Sequence, residues 1–195
     1  MATIGLDKLY YATFTENDQG NETYNTPKPL AKAISAELSV ELAEAILYAD
    51  DGASEIVKEF KSGTITLGVD DIGADVAADL IGARVDGNKV LVSATEDGGA
   101  GVAIAFRAAK ANGTYRYFWL YRVKFAVPTT SLTTKGDSIE FSTPEIEGTI
   151  LRRTKPDGAG KHPWKAEADE ATATNDVISN WYKTVYEPSF TQAGA

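Results

Sequence analysis

The chain has 195 residues, 43% of them hydrophobic, which suits one domain with its own core. A formal net charge of −9 argues against ordinary nucleic-acid binding, because contacts from lysine and arginine to phosphates supply most of that affinity. Cysteine is absent, which excludes disulfides and zinc–thiolate sites. The first residues lack a signal-peptide pattern and no stretch reaches 18 apolar residues, so we expect cytoplasmic synthesis without membrane insertion.

The predicted elements begin with β-strands. Alternating side chains predict a first strand over 9–14, and the polar stretch 16–30 predicts a loop or arm. The next strand, over 33–48, has the clearest alternation. One face is apolar and carries Ile34, Ala36, Leu38, Val40 and Leu42. The other face is acidic and hydrophilic and carries Ser35, Glu37, Ser39 and Glu41. We therefore expect the apolar face to close over a core and the acidic face to be wet.

Turn residues divide the following stretch. The Asp-Gly step at 51–52 predicts a turn into a strand over 55–61. Ser62–Gly63 predicts a second turn, and alternation over 64–69 predicts the next strand. These strands read as an antiparallel meander.

A helix is predicted over 72–81, where apolar residues recur at helical spacing. Asp70 and Asp71 are suitable N-cap residues, and Gly82 is a suitable C-cap. We expect one short amphipathic helix packed on the sheet.

Four more extended segments and a candidate short helix follow, over 89–95, 101–110, 114–127, 139–153 and, for the helix, 176–183. The aromatic strand over 114–127 is predicted to be central, and Pro144 predicts a bend or break in the one after it. The fold class is therefore mainly β, an antiparallel β-sandwich or barrel-like fold with one flanking helix and a candidate C-terminal helix. We expect a single domain over 1–195, with a C-terminal extension over 154–195.

One segment allows a nucleotide-binding alternative. Residues 98–101 are glycine-rich and precede an alanine-rich stretch, as in a dinucleotide-binding loop that opens a helix. Ile104 occupies the position of the third glycine, and the alternation over 102–107 favours a hairpin turn and a strand.

Catalytic constellations are weak in this sequence. His162, the only histidine, lies beside a glycine-rich turn, and no Ser-His-Asp arrangement has local support. Glu37 and Glu59 could meet across neighbouring strands as a glycosidase pair, although 28 acidic residues make such pairings common by chance. The aspartate pairs at 50–51 and 70–71 lack the ligand spacing of a calcium loop. We identify no catalytic, cofactor or metal residue.

A family resemblance rests on the order and spacing of short segments. In chain order these are Tyr10-Tyr11-Ala12-Thr13, Tyr24-Asn25-Thr26-Pro27, Leu30-Ala31-Lys32-Ala33, Leu47-Tyr48-Ala49-Asp50-Asp51-Gly52, Phe60, Gly63-Thr64-Ile65-Thr66-Leu67, Asp79-Leu80-Ile81-Gly82, Val102-Ala103-Ile104-Ala105-Phe106 and Tyr115-Arg116-Tyr117-Phe118-Trp119-Leu120. Over about residues 6–153 the chain resembles the major tail proteins of long non-contractile-tailed phages and prophages of Gram-positive bacteria.

The resemblance implies a structural virion protein of the phage tail. Such subunits form hexameric rings that stack into a tail tube, through which DNA passes without specific binding. It implies no enzymatic activity and no cofactor, and it implies tape-measure and tail terminator proteins as partners. No membrane partner is expected.

Two groups of residues become candidate sites on this resemblance. The candidate lumen-lining residues are Ser35, Glu37, Ser39, Glu41, Glu55 and Glu59. The candidate inter-ring loop comprises Leu47, Tyr48, Asp50, Asp51 and Gly52. The alternatives are a solvated outer face for the first group and a plain strand connection for the second. For the whole chain, the alternatives are a non-assembling β-sandwich binding module and a carboxylate-dependent hydrolase.

Overall fold

The computed structural model of the protein describes residues 2–49, 52–99, 101–128 and 143–190, with the side chains of 46–49 and 52–55 left out. The strands are β1 Thr3–Glu16, β2 Glu22–Tyr24, β3 Lys28–Ala31, β4 Ala33–Ala49, β5 Gly52–Val69, β6 Arg84–Val85, β7 Leu91–Val92, β8 Val102–Lys110, β9 Tyr115–Phe125, β10 Glu145–Leu151 and β11 Lys165–Asp169. The helices are α1 Ala74–Ile81 and α2 Asn175–Asn180. The mainly β, antiparallel fold class is confirmed.

In the described part of the chain, nine strands form one antiparallel sheet, and β6 and β7 form a separate hairpin. The main order is β2-β1-β8-β9-β10-β5-β4, with β3 also paired to β1 and β11 also paired to β9. Within the described residues no strand pair closes this sheet into a barrel. The long strands β4 and β5 pair with each other as a hairpin, and β4 is an edge strand.

The sheet curls, because its two ends are joined through one residue. β3 is bonded to β1 near one end of the sheet, and Lys32 alone separates it from β4 at the other end. The backbone N–H of Lys32 donates to Asp70 Oδ1 (2.9 Å), and the N–H of Asp70 donates to the carbonyl of Lys32 (3.1 Å). These two hydrogen bonds hold the connection between β3 and β4 against the segment that leads into α1.

The principal core fills the inside of the curl. It is lined by α1 and by side chains from β1, β3, β5, β8, β9 and β10, among them Leu9, Leu30, Ile65, Leu67, Leu80, Ile104, Leu120, Ile146 and Ile150. Burying such aliphatic side chains stabilises a fold by about 1.5–3 kcal/mol each. Burial of these side chains therefore stabilises the curled sheet.

A second core lies on the opposite surface of the sheet. Tyr117, Trp119 and Tyr121 of β9 lie in it, whereas Val123 and Phe125 of the same strand lie in the principal core. The switch comes from a register shift, because Val102 pairs with Val123 but Ile104 pairs with Leu120. The extra residue in β9 is a bulge, which reverses the side-chain alternation that follows it.

The C-terminal segment, residues 165–190, covers the second core. Trp181 is only 2% exposed, and its carbonyl accepts a bond from Trp119 Nε1 (3.1 Å). The hydroxyl of Tyr121 donates to the carbonyl of Tyr186 (2.9 Å). At the far end of β11, Asp169 accepts a bond from the ammonium of Lys110. The segment is therefore packed as part of the domain.

Buried charges fix the arm at 16–30. The Glu22 carboxylate is shielded from solvent and accepts bonds from Arg122 Nη1 (3.0 Å) and from the backbone N–H of Thr154 (3.1 Å). Arg153, 1% exposed, donates to Glu187 (2.8 Å). Because a buried charge is stable only when paired, the bonds to Glu22 fix where the arm lies, and the Arg153–Glu187 pair ties the C-terminal segment to the body.

The structure corrects several expected elements. The arm is more than a loop, because it contains β2 and β3. The prediction of a turn at Ser62–Gly63 is wrong, since both residues lie within the continuous strand β5. The helix begins two residues later than expected, with Gly73 rather than Asp70 or Asp71 at its N-cap.

Other expectations are confirmed. Gly82, with φ 75°, is the C-cap of α1. The aromatic strand, β9, pairs on both sides and is central. The strand predicted near 89–95 is reduced to β7, and the C-terminal helix is the six-residue α2. Of the bent strand over 139–153, residues 139–142 lie outside the described residues, and β10 follows Pro144.

Candidate functional site

The polar face of β4 is exposed as predicted. Ser35, Glu37, Ser39 and Glu41 are all exposed to solvent. Across the hairpin Glu37 pairs with Thr66, Ser39 with Thr64, and Glu41 with Ser62. Directly paired residues share one face of a sheet, so this face is lined with carboxylates and hydroxyls.

The same face continues onto β10. Glu147 pairs with Thr66, and Thr149 pairs with Thr64. Glu145 also lies on this face and is exposed, whereas Ile146, on the opposite face, is buried. Sequence reasoning missed Glu145 and Glu147, although their alternation with buried residues was a usable signal.

Glu59 joins this face through a bulge in β5. Glu41 pairs with Ser62 while Leu42 pairs with Phe60, so Lys61 is an extra residue in β5. Beyond the bulge Glu59 pairs with Ala43, which has the same parity in β4 as Glu41. We call the combined surface the acidic face; its members are Ser35, Glu37, Ser39, Glu41, Glu59, Ser62, Thr64, Thr66, Glu145, Glu147 and Thr149.

The acidic face is poorly neutralised. Among the described residues it carries one ion pair, between Glu41 and Lys61 (3.7 Å), and Glu41 also accepts a bond from Ser62 Oγ (3.2 Å). Lys124 is opposite Thr149 at its margin. The structure thus brings five of the six candidate lumen residues onto one surface, while the side chain of Glu55 lies outside the described residues.

The apolar face of β4 differs from expectation. Ala36 and Leu38 pack against the principal core, but Ile34, Val40 and Leu42 are 55%, 40% and 56% exposed. The prediction that this whole face closes over the core is wrong. Ile34 lies in the register shift between Ala33 and Ser35, so Ala33 packs against the core and Ile34 does not. Val40 and Leu42 lie farther along the edge strand, where the core no longer extends beneath it.

From the Leu42–Phe60 pair outward, β4 and β5 form a projecting hairpin, residues 42–60. Every described side chain between Leu42 and Phe60 is exposed, including Ile56 (56%) and Val57 (51%). The seven steps from Leu42 to Ala49 span about 23 Å at about 3.3 Å per residue. A two-stranded ribbon of this kind is only marginally stable alone in water.

The candidate inter-ring loop falls at the end of the projecting hairpin. The backbones of Leu47 and Tyr48 lie in β4, and Gly52 pairs with Ala49 as the first residue of β5. Asp50 and Asp51 lie outside the described residues. The candidate loop thus lies at the end of the hairpin farthest from the body, and its contact with an adjoining ring stays a prediction.

The described residues do not form the nucleotide-binding loop or the glycosidase pair that the sequence allowed. Gly101 leads directly into a strand, β8, and not into a helix. Glu37 and Ala43, which is opposite Glu59, are six residues apart in β4, or about 20 Å, beyond the ~5–10 Å of glycosidase carboxylates. His162 is exposed, with Nδ1 3.2 Å from the Arg153 carbonyl.

The described part of the chain has neither a metal-binding cluster nor a membrane-spanning helix. No group of three or more acidic or histidine side chains there could hold a metal ion. Asp70 instead accepts backbone bonds from Lys32 and Asp71, which hold its pKa below the usual value. None of the helices in those ranges is long and apolar enough to cross a membrane.

Comparisons with known proteins give distant likenesses. No family model matches the chain, and no curated protein matches it. One similar solved structure is the anti-feeding prophage cap (AFP tube terminating cap), at 14% identity and TM-score 0.39, covering 87% of this chain and 93% of that one. Another is the anti-feeding prophage (AFP) baseplate, at 7% identity and TM-score 0.29, covering 86% and 97%. At these TM-scores neither likeness carries an argument.

Proposed function

We propose that this chain is a structural subunit of a phage tail tube, built from stacked hexameric rings whose bore is lined by the acidic face. The observation that carries the proposal is the acidic face itself, which adjoins a hairpin that projects from the body with apolar side chains uncovered. The ring of six and the stacking follow the family resemblance of the sequence.

The chemistry of the acidic face suits a conduit for DNA. Five carboxylates repel phosphate, and the serine and threonine hydroxyls between them are small. Six copies, each with a formal net charge of −9, together carry a formal charge of −54. Charge of this sign discourages DNA from adhering while it passes.

The projecting hairpin and the free edge of β4 suit assembly. An exposed edge strand is a template for pairing with another chain, and ring closure would cover it. A neighbouring copy would also cover Leu42, Ile56 and Val57, which lie on both faces of the ribbon. In this arrangement Leu47 to Gly52 contact the adjoining ring, and tape-measure and terminator proteins meet the bore and the end of the tube in the virion.

Assembly of the purified protein tests the proposal. We expect sedimentation velocity to show a concentration-dependent shift to large species, and negative-stain microscopy to show rings or hollow tubes. A chain that stays monomeric at every concentration would contradict the proposal and favour a non-assembling binding module.

A matched pair of variants tests the role of the projecting hairpin. Val57 on the hairpin and Val90 beside β7 are 51% and 53% exposed. We expect Val57→Arg to abolish assembly with unchanged circular dichroism, because it places a charge in the contact, and Val90→Arg to assemble normally. Equal behaviour of the two variants would refute the assigned contact.

Charge reversal tests the bore. Glu37→Lys with Glu41→Lys should leave rings intact but slow DNA release from particles built with the variant, because lysine attracts phosphate. Reversal of the exposed Glu96, in the loop after β7, is the control. DNA release at the wild-type rate from the double variant would remove the acidic face from the bore.

A further inference from the structure

The projecting hairpin joins the body of the protein at an aromatic stack. Phe60 is next to the bulged residue Lys61, on the side of the hairpin. Its ring lies against that of Trp164, with ring centroids 4.6 Å apart and planes 4° apart. Both side chains are half-buried at the rim of the principal core. Beyond Phe60, all described side chains of the hairpin are exposed.

Trp164 is firmly held by the body. Its carbonyl accepts a bond from the backbone N–H of Tyr121 (3.1 Å), and the carbonyl before it, of Pro163, accepts one from Arg153 (3.1 Å). It directly precedes β11, which pairs with β9, and the Lys165 ammonium lies 5.4 Å from its ring centroid. The ring therefore offers a fixed platform to Phe60.

The bulge makes such a platform necessary. A bulge bends its strand and increases the local twist, so the ribbon beyond Lys61 leaves the sheet in a direction that strand pairing alone does not fix. The stack of Phe60 on Trp164 is the one aromatic pair described between the hairpin and the body.

We propose that Trp164 is a positioning residue which, through Phe60, sets the direction of the projecting hairpin for assembly. This inference rests on the proposed tail-tube function for its consequence, but the joint itself is a property of the single subunit. Loss of the stack loosens the hairpin without unfolding the sheet, because the remaining core is unchanged.

Hydrogen exchange on the monomeric protein tests the joint apart from assembly. Phe60→Leu keeps an apolar side chain but removes the stack, and we expect exchange in residues 42–60 to accelerate at least about tenfold. Phe60→Tyr keeps an aromatic ring at this position, and we expect it to exchange at the wild-type rate. Phe106→Leu is the control, because it removes another aromatic stack, between Phe106 of β8 and Phe118 of β9 (ring centroids 4.9 Å apart), that does not involve the hairpin.

Two measurements separate the outcomes. If exchange over 42–60 is the same in Phe60→Leu as in Phe106→Leu, the joint is overturned, whatever the protein assembles into. If Phe60→Leu loosens the hairpin and raises the concentration needed for assembly about tenfold, both ideas are supported. If it loosens the hairpin while the wild type never assembles, the joint stands and the tail-tube proposal fails.

Discussion

Replacement of Trp181 by alanine measures how strongly the C-terminal segment is bound to the sheet. The side chain is 2% exposed, stacks on Tyr186 (5.5 Å) and meets the edge of Tyr117 (5.9 Å). A buried tryptophan removes about 150–250 Å² from water, which at about 25 cal/mol per Å² is about 4–6 kcal/mol. Residual compactness of the unfolded chain lowers this to about 3–5 kcal/mol, the range measured for such truncations.

Urea unfolding followed by far-ultraviolet circular dichroism is the assay. With a slope of about 2–3 kcal/mol per M, Trp181→Ala should lower the midpoint by about 1–2.5 M. Phe190→Ala in the same segment is the control, because Phe190 is 55% exposed and should cost under about 0.5 kcal/mol. If the two variants unfold at the same urea concentration, the segment is not an integral part of the domain and the reasoning is refuted.

Three further changes test other parts of the fold. Gly148→Ala would place a Cβ 2.9 Å from the Phe125 ring, so we expect a loss of about 1–3 kcal/mol and a lower thermal midpoint. Glu22→Ala leaves the Arg122 guanidinium without its buried carboxylate and should cost about 3 kcal/mol in urea unfolding; a loss under about 0.5 kcal/mol would contradict the buried pair. The bond from a lysine ammonium holds the pKa of Asp169 below its usual value, so the unfolded chain takes up this proton first as the pH falls. The stability from this group is present above about pH 4 and lost below it, so thermal midpoints measured against pH should fall less steeply in acid for Asp169→Asn.

Local alternation predicted the surfaces that depend on one strand. The order Ser35 to Glu41 gives one exposed polar row because every second side chain of an extended strand shares a face. The same rule correctly made the stretch after Gly101 a strand, β8, and not a nucleotide-binding helix. Such predictions succeed because their cause lies within a few residues of chain.

Features that depend on distant partners were missed. Ser62–Gly63 is typical of a turn, yet Gly63 lies between Val40 of β4 and Ile150 of β10. A Cβ there would be 2.9 Å from the Ser39 carbonyl, so glycine serves close strand approach at this position. The addition of Glu145 and Glu147 to the acidic face likewise depends on strand order, which a single sequence does not reveal.

The bulge in β9 explains why one sheet can carry two different outer surfaces. In β9 the extra residue turns Val123 and Phe125 toward the principal core, while Tyr117 to Tyr121 support the C-terminal segment on the other side. The outer surface is therefore covered over β1, β8 and the first part of β9, and bare and acidic over β10, β5 and β4. Both parts lie on the side of the sheet opposite the principal core, in different halves of its strand order. The acidic face is therefore left open for a bore, because the C-terminal segment covers a separate part of the same sheet surface.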